Sequence, residues 1–347
     1  MNVCKNFKFL RIARDCCIRN LSGSRLPGPR LSNAGTYTLE PLTKRELVRV
    51  HGAEAMPFLQ GLVTNDVSRL QEPNGPTSMY ALFLNRGGRV MYDTIIYRTN
   101  DPDTFLLECD RDASSDFRRH LRTYRVRKRI DIDTVDDEYV PWVLFNEQRT
   151  NQIATKKTED LFITQDPRLE SLGTRILAPT DLGINNLIKN LWRHHEVVAS
   201  NSTPDSNYTL LRYKQGIGEG IEELPPGKCF PLEANADYLN GVSFNKGCYV
   251  GQELTARVHH SGVIRKRYMP VRFTAPVSSN HIVKSVAGAN LGRVLGHAHN
   301  RGVALLRIEP VLGSHQQLVI DGERCYVDRP QWWPSDVTSK RVHAAIE

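Results

Sequence analysis

The densest set of reactive side chains in the sequence lies in nine residues, Asn245 to Glu253, where Lys246, Cys248, Tyr249, Gln252 and Glu253 are set among glycines at 247 and 251. The run from Gln252 to Val258 reads as a short helix, so Cys248 falls just ahead of a helix N-terminus with a lysine two residues away. Both surroundings favour a thiolate over a thiol. A thiolate is the form a nucleophile or a soft-metal ligand requires. Glu253 and Arg257 are four residues apart, in the favourable order for a surface ion pair. The same spacing also fits a small buried thiol in a glycine-rich turn. Residue types alone leave both readings open.

Other candidate groups sit on elements whose periodicity can be read. Tyr80–Leu84 and Val90–Tyr97 read as two strands joined by a turn at Arg86–Arg89, which puts Asp93 on the second strand. Glu46–Val50 and Thr104–Glu108 read as further strands, and Ala53–Leu62 as a helix with Pro57 near its first turn. A helix is expected from Ser114, with Phe117, Leu121 and Tyr124 on one side. Arg118, Arg119, Arg122, Arg125, Arg127, Lys128 and Arg129 crowd its end. Such a run is either a solvated face or a surface for an acidic partner or an anionic ligand tail. Val140–Phe145 and Arg175–Ala178 read as strands and Leu187–Val198 as a helix carrying His194 and His195. Adjacent helical side chains point about 100° apart and share no metal. Strands and helices thus alternate, with hairpins, over residues 40–200, which suits α+β units. From Tyr268 onward short strands follow one another, ending in a hairpin that turns at Asp321-Gly322, and a small barrel is expected. His297 and His299 fall on one face of such a strand, with no third ligand in view.

The chain as a whole sets the bounds. Its 347 residues are enough for two or three domains. No apolar run approaches the roughly 20 residues of a membrane span. Residues 1–39 hold seven basic side chains and one acid, which leaves only +2 of the net +8 for the remainder. The basic balance therefore says little about nucleic acid, and no nucleic-acid motif accompanies it. Residues 1–35 are basic, serine-containing and acid-poor, with interleaved apolar side chains, and read as a mitochondrial transit peptide. Cys4, Cys16 and Cys17 would leave with it. Cys109, Cys229, Cys248 and Cys325 form no Cys-x-x-Cys and suit a reducing compartment.

Lys-Gly-Cys-Tyr-x-Gly-Gln-Glu, residues 246–253, resembles the signature of the YgfZ-type proteins, within the larger group that includes the T-protein of glycine cleavage, a folate-dependent aminomethyltransferase. Phe58–Val67 resembles the opening helix of that group, and Phe230–Asn235 its Pro-x-Glu element. The branch most resembled is a mitochondrial iron–sulfur cluster assembly factor of the matrix. The resemblance implies an α+β fold of three domains round a central cavity, two of them α+β and one a C-terminal β-barrel. The divisions would be 36–100 with 205–262, then 101–204, then 263–347. It implies support for maturation of 4Fe–4S proteins such as lipoate synthase and aconitase-type enzymes. Cys248 would be the functional thiolate, a ligand to a transient cluster shared with an A-type scaffold partner. Lys246 would lower its pKa, Gly247 and Gly251 would let the partner approach, and Tyr249 would wall the site. A tetrahydrofolate pocket would be built around Asp93, Glu233 and Arg257, with Tyr249, Gln252 and Glu253 beside it. Neither a nucleic acid nor a membrane is an expected partner. Two departures weigh against aminomethyl transfer: Tyr92 replaces the first of the T-protein's paired aspartates, and Lys214 replaces a glutamate. A tetrahydrofolate-dependent one-carbon transferase remains the alternative. A Cys-dependent acyl or thiol transferase lacks an identifiable His/Asp pair.

Overall fold

The computed structural model describes residues 36–147, 161–191, 196–201, 203, 205–277, 281–313 and 317–335. The expected transit peptide, Trp192 and the pair His194-His195 lie outside the described residues. Three sheets carry the architecture.

The first sheet follows the order β3-β4-β5-β2-β6, built from Arg45–His51 (β2), Ser78–Leu84 (β3), Val90–Arg98 (β4), Thr104–Asp110 (β5) and Asp131–Thr134 (β6). Both of its faces are covered, so its central strands bury nearly every residue. In β3 the alternate residues Met79, Ala81 and Phe83 face one core, while Tyr80, Leu82 and Leu84 face another. Period-two alternation of two apolar sets is what a doubly covered strand needs. The outer core is roofed by helix α1 (Ala55–Gln60) and helix α2 (Ser114–Arg125).

The second sheet has the order β10-β1-β7-β9-β8 and contains Tyr37–Pro41 (β1), Tyr139–Phe145 (β7), Phe162–Gln165 (β8), Thr174–Pro179 (β9) and Val197–Ala199 (β10). Helix α3 (Ile184–Leu191) covers one face through Leu187. The other face, with Val143, Phe145 and Leu177, joins Leu47, Leu82 and Ile95 of the first sheet in one shared core. Helix α4 (Asn207–Gln215) adds Leu211 and Tyr213 to that core, and the barrel adds Tyr268 and Val303. Ser206 caps α4 by accepting from Thr209 N, and Gly216 ends it with φ 74°.

The C-terminal strands form a closed barrel, β11-β14-β13-β12-β15-β16, spanning Lys266–Phe273 (β11), Ile282–Ser285 (β12), Asn290–Ala298 (β13), Arg301–Arg307 (β14), Leu318–Ile320 (β15) and Glu323–Val327 (β16). Asp321 and Gly322 both take positive φ at its last hairpin, as the sequence signal requires.

Two expectations need correction. The helix expected over Leu187–Val198 ends at Leu191, and the β-branched pair Val197-Val198 instead pairs with β1. The division at residue 100 does not follow the sheets: β5, α2 and β6 belong with the first sheet, and β1 belongs to the second. Linear segmentation missed this because the chain enters the second sheet, leaves for the first and returns.

Candidate functional site

The segment 240–251 is held by the turn that follows α1. Thr64 Oγ1 donates to Gly241 O at 2.6 Å, Asn65 Nδ2 to Asn240 O at 2.7 Å, and Ser243 N to Thr64 O at 3.0 Å. Lys246 is the deepest anchor. Its Nζ donates to the carbonyls of Gln60, Val63 and Asn65, each at 2.7 Å. Three donors meet three acceptors, which exhausts the ammonium group. These are the carbonyls left over as the helix ends, and a cation is the partner they favour. Burial pushes the Lys246 ammonium down to about 8, against an opposing pull from Asp66. The expected role of Lys246, lowering the pKa of Cys248, is therefore replaced: its protons are committed to backbone oxygens.

Tyr249 is the second anchor. It is buried, its ring centre lies 5.0 Å from Lys246 Nζ, and burial pushes its hydroxyl up to about 12. Gln252 accepts from Tyr249 N through its side-chain oxygen at 3.2 Å, and Val250 N donates to Gly61 O at 3.1 Å. Gly251 opens helix α5 (Gln252–Ser261) with φ 80°. A Cβ there would stand 2.3 Å from Asn85 O, so this glycine is demanded by the docking of the β3–β4 turn. Gly247 has ordinary φ and nothing within 4 Å of where a Cβ would be.

Between the buried side chains of Lys246 and Tyr249 sit the two exposed residues Gly247 and Cys248. The other three described cysteines are buried, and burial raises each of their thiols. Cys248 is thus the exposed thiol among the described residues, on a short loop pinned at both ends. Within the described residues no three His, Cys, Asp or Glu side chains are grouped to hold a metal ion. One thiolate is one ligand, and cluster ligation takes four.

Two of the carboxylates expected to build a folate pocket have partners within the protein. Asp93 is buried on β4, where it meets Arg45 at 3.2 Å and accepts from Gly220 N at 3.1 Å. Glu233 closes its own turn by accepting from Phe230 N at 3.0 Å. Glu253 and Arg257 are exposed on α5. Lys214 is a surface residue 3.9 Å from Glu147. His299 leaves the face of His297, because it takes φ 50° in the turn after β13.

A buried ionic network occupies the space between the sheets, and sequence reading missed it. Arg175 meets Glu108 at 2.9 Å, Asp166 at 3.1 Å and Glu219 at 2.7 Å. Arg45 also reaches Glu108 at 3.0 Å, Arg168 reaches Asp166 at 2.8 Å, and Arg212 reaches Glu223 at 2.6 Å. Burial alone would raise the Glu219 carboxyl, but Arg175, Arg168 and Arg212 hold it well below its usual range. Asp166 lines a 660 Å³ cleft with Tyr80 and Asn240, whereas Arg45, Arg212 and Glu219 line a second cleft of 350 Å³. Neither cleft is lined by Asp93 or Glu233. Asp93 Oδ2 is buried with no hydrogen-bond partner among the described residues. The available signal was a charge inside an apolar strand, as with Glu108 in Thr-Phe-Leu-Leu-Glu-Cys-Asp and Arg175 in Thr-Arg-Ile-Leu.

Comparison with known proteins places this geometry. A family described as the CAF17 C-terminal beta-barrel domain matches residues 265–335, the barrel. The chain is 34% identical to the human mitochondrial iron-sulfur cluster assembly factor IBA57, over 94% of this chain and 93% of that protein. The mouse protein of the same name is 36% identical, over 90% of each. Among solved structures, the glycine cleavage system aminomethyltransferase T from Bartonella henselae superposes with a TM-score of 0.66 and 15% identity, covering 86% of both chains. That likeness shows the fold: the three-part arrangement of an aminomethyltransferase, with the barrel at its C-terminal end.

Proposed function

Because this chain belongs to the IBA57 family of mitochondrial iron–sulfur cluster assembly factors, we propose that it works by presenting Cys248 as one thiolate ligand to a transient iron–sulfur cluster. The cluster is cargo, shared with an A-type scaffold protein that supplies the remaining ligands. The protein is mitochondrial, and no described helix is long and apolar enough to cross a membrane. The observation that carries the reading is the exposure of Cys248 between two buried anchors, Lys246 and Tyr249. A pinned loop loses little freedom when its thiolate takes up iron, which keeps the ordering cost of the shared complex low. The open side of Gly247 leaves room for a second protein backbone. The clients served are 4Fe–4S proteins of the lipoate synthase and aconitase type.

Tetrahydrofolate has no step in this reading. Asp93 meets Arg45 and accepts from Gly220 N through one oxygen, its Oδ2 accepting no hydrogen bond, and Glu233 accepts within its own turn. Tyr92, standing where the T-protein carries an aspartate, packs at 5.1 Å from the Phe117 ring under α2. A one-carbon transfer of T-protein type would lack one of its paired carboxylates, with Asp93 keeping the other.

Anaerobic mixing of the full chain with an A-type scaffold protein, iron and sulfide tests the proposal. Wild type is expected to develop visible thiolate-to-iron absorbance in a complex of the two proteins. Cys248→Ser is expected to lose that absorbance while remaining folded. Equal absorbance from the variant would remove the role assigned to Cys248.

A further inference from the structure

The thiol loop adjoins a second surface that the reading above does not use. Val250, two residues past Cys248, packs on the same core as Tyr92 and Tyr124, so the loop and α2 cover one side of the first sheet. Along α2 the half-buried rings of Tyr92, His120 and Tyr124 follow one another, at 5.5 Å and then 5.0 Å between centres. Burial pushes His120 down, so this row is uncharged at neutral pH. Around it, residues 117–130 carry seven arginines and lysines and no acid. Arg119 is paired only along its own helix with Asp116, and Lys128 and Arg129 stand 4.0 and 3.9 Å from Glu54. Such exposed pairs neutralise little. Among the described residues Arg118 and Arg127 are in no ion pair. At the end of α2, Val126 takes φ 50° and is 80% exposed. A β-branched residue in that backbone region is strained, and its apolar side chain faces water.

An uncharged aromatic row rimmed by arginines that are either in no ion pair or only in exposed ones, Arg125 with Asp131 at 4.0 Å among them, has the make-up of an interface centre and its surround. A thiolate-ligated iron–sulfur cluster is an anion, and a partner that delivers one to this side of the molecule meets a matching field. We propose that the aromatic, arginine-rimmed face of α2 is the docking surface for the acidic, cluster-bearing protein whose other thiolates complete the site at Cys248. The inference rests on Cys248 being a cluster ligand, and adds where the partner is held.

The test measures affinity of the full chain for an A-type scaffold protein, with and without iron and sulfide, across a salt series. Arg119→Glu with Arg127→Glu is the reversal pair, since both side chains are exposed. The double lysine variant at the same positions and Arg127→Glu alone serve as companions should the pair fail to fold. Reversal is expected to weaken binding by about tenfold or more and flatten its salt dependence, whereas the lysine pair keeps both. Cys248→Ser is expected to lose the visible absorbance but keep cluster-free affinity. Unchanged affinity and salt slope on reversal overturn the docking surface, even where Cys248→Ser still removes the absorbance and the cluster role stands. Loss of binding on reversal with absorbance retained in Cys248→Ser supports the surface and overturns the thiol's role. Absence of any complex with wild type overturns the docking surface.

Discussion

Lys246 illustrates how a signature residue can be read correctly as important and wrongly as to its role. Its proximity to Cys248 in sequence suggested electrostatic activation of the thiol, but its three protons go to the carbonyls of Gln60, Val63 and Asn65. Sequence spacing cannot tell which way a four-carbon side chain runs. Replacement by methionine keeps the length and orphans those oxygens. Lys246→Met is expected to cost on the order of 3 kcal/mol of stability in urea unfolding, from loss of a buried cation's partners. The pH dependence has a definite sign. The folded chain gives up this proton near 8, while an unfolded lysine holds it to about 10.4. Across that window the unfolded state binds more protons, so this group's contribution to stability rises with pH. The rise should be missing from Lys246→Met. For Cys248, residue types and spacing left a buried and an exposed sulfur both open, and the structure exposes it.

The loop from Asn245 to Gly251 and the turn of the β3–β4 hairpin form one fitted pair. Gly251 and the Asn85 carbonyl touch so closely that any side chain would part them. Gly251→Ala is expected to destabilise by about 2–4 kcal/mol, through positive φ and steric overlap together. Gly247→Ala, with open space and ordinary φ, should stay within about 0.5 kcal/mol of wild type. Thermal or urea melts of the two variants distinguish a glycine needed for folding from one that only leaves room. The hairpin itself could be read from Asn85 and the paired glycines, and the strands from their alternation. The helix end near Leu191 could not, because Val197-Val198 satisfies a helical apolar pattern as well as a strand's, and only pairing with β1 decides between them.

The three-part architecture followed from the signature's family, but the centre of the molecule did not. Arg175, Glu108, Asp166 and Glu219 are scattered over more than a hundred residues, and nothing local announces that they meet. Arg175→Met would leave carboxylates buried without their counter-charge. A loss of about 3–5 kcal/mol is expected in urea unfolding. Asp166 and Glu219 are held below the usual carboxylate range by their arginines, which overcome the effect of burial. Their contribution is therefore complete above the unfolded values near pH 4 and disappears only as pH falls through the lower folded values. Wild type should accordingly resist acid unfolding further than Arg175→Met, as followed by circular dichroism. The interleaving of the two sheets has a temporal consequence as well. Strand β1 sits between partners that begin at residues 139 and 197. A chain threading into the organelle from its leading end carries that strand in first and must keep it solitary until most of the polypeptide has followed. For that interval its backbone donors and acceptors stay open on both sides, whereas in the finished chain β7 and β10 close both edges.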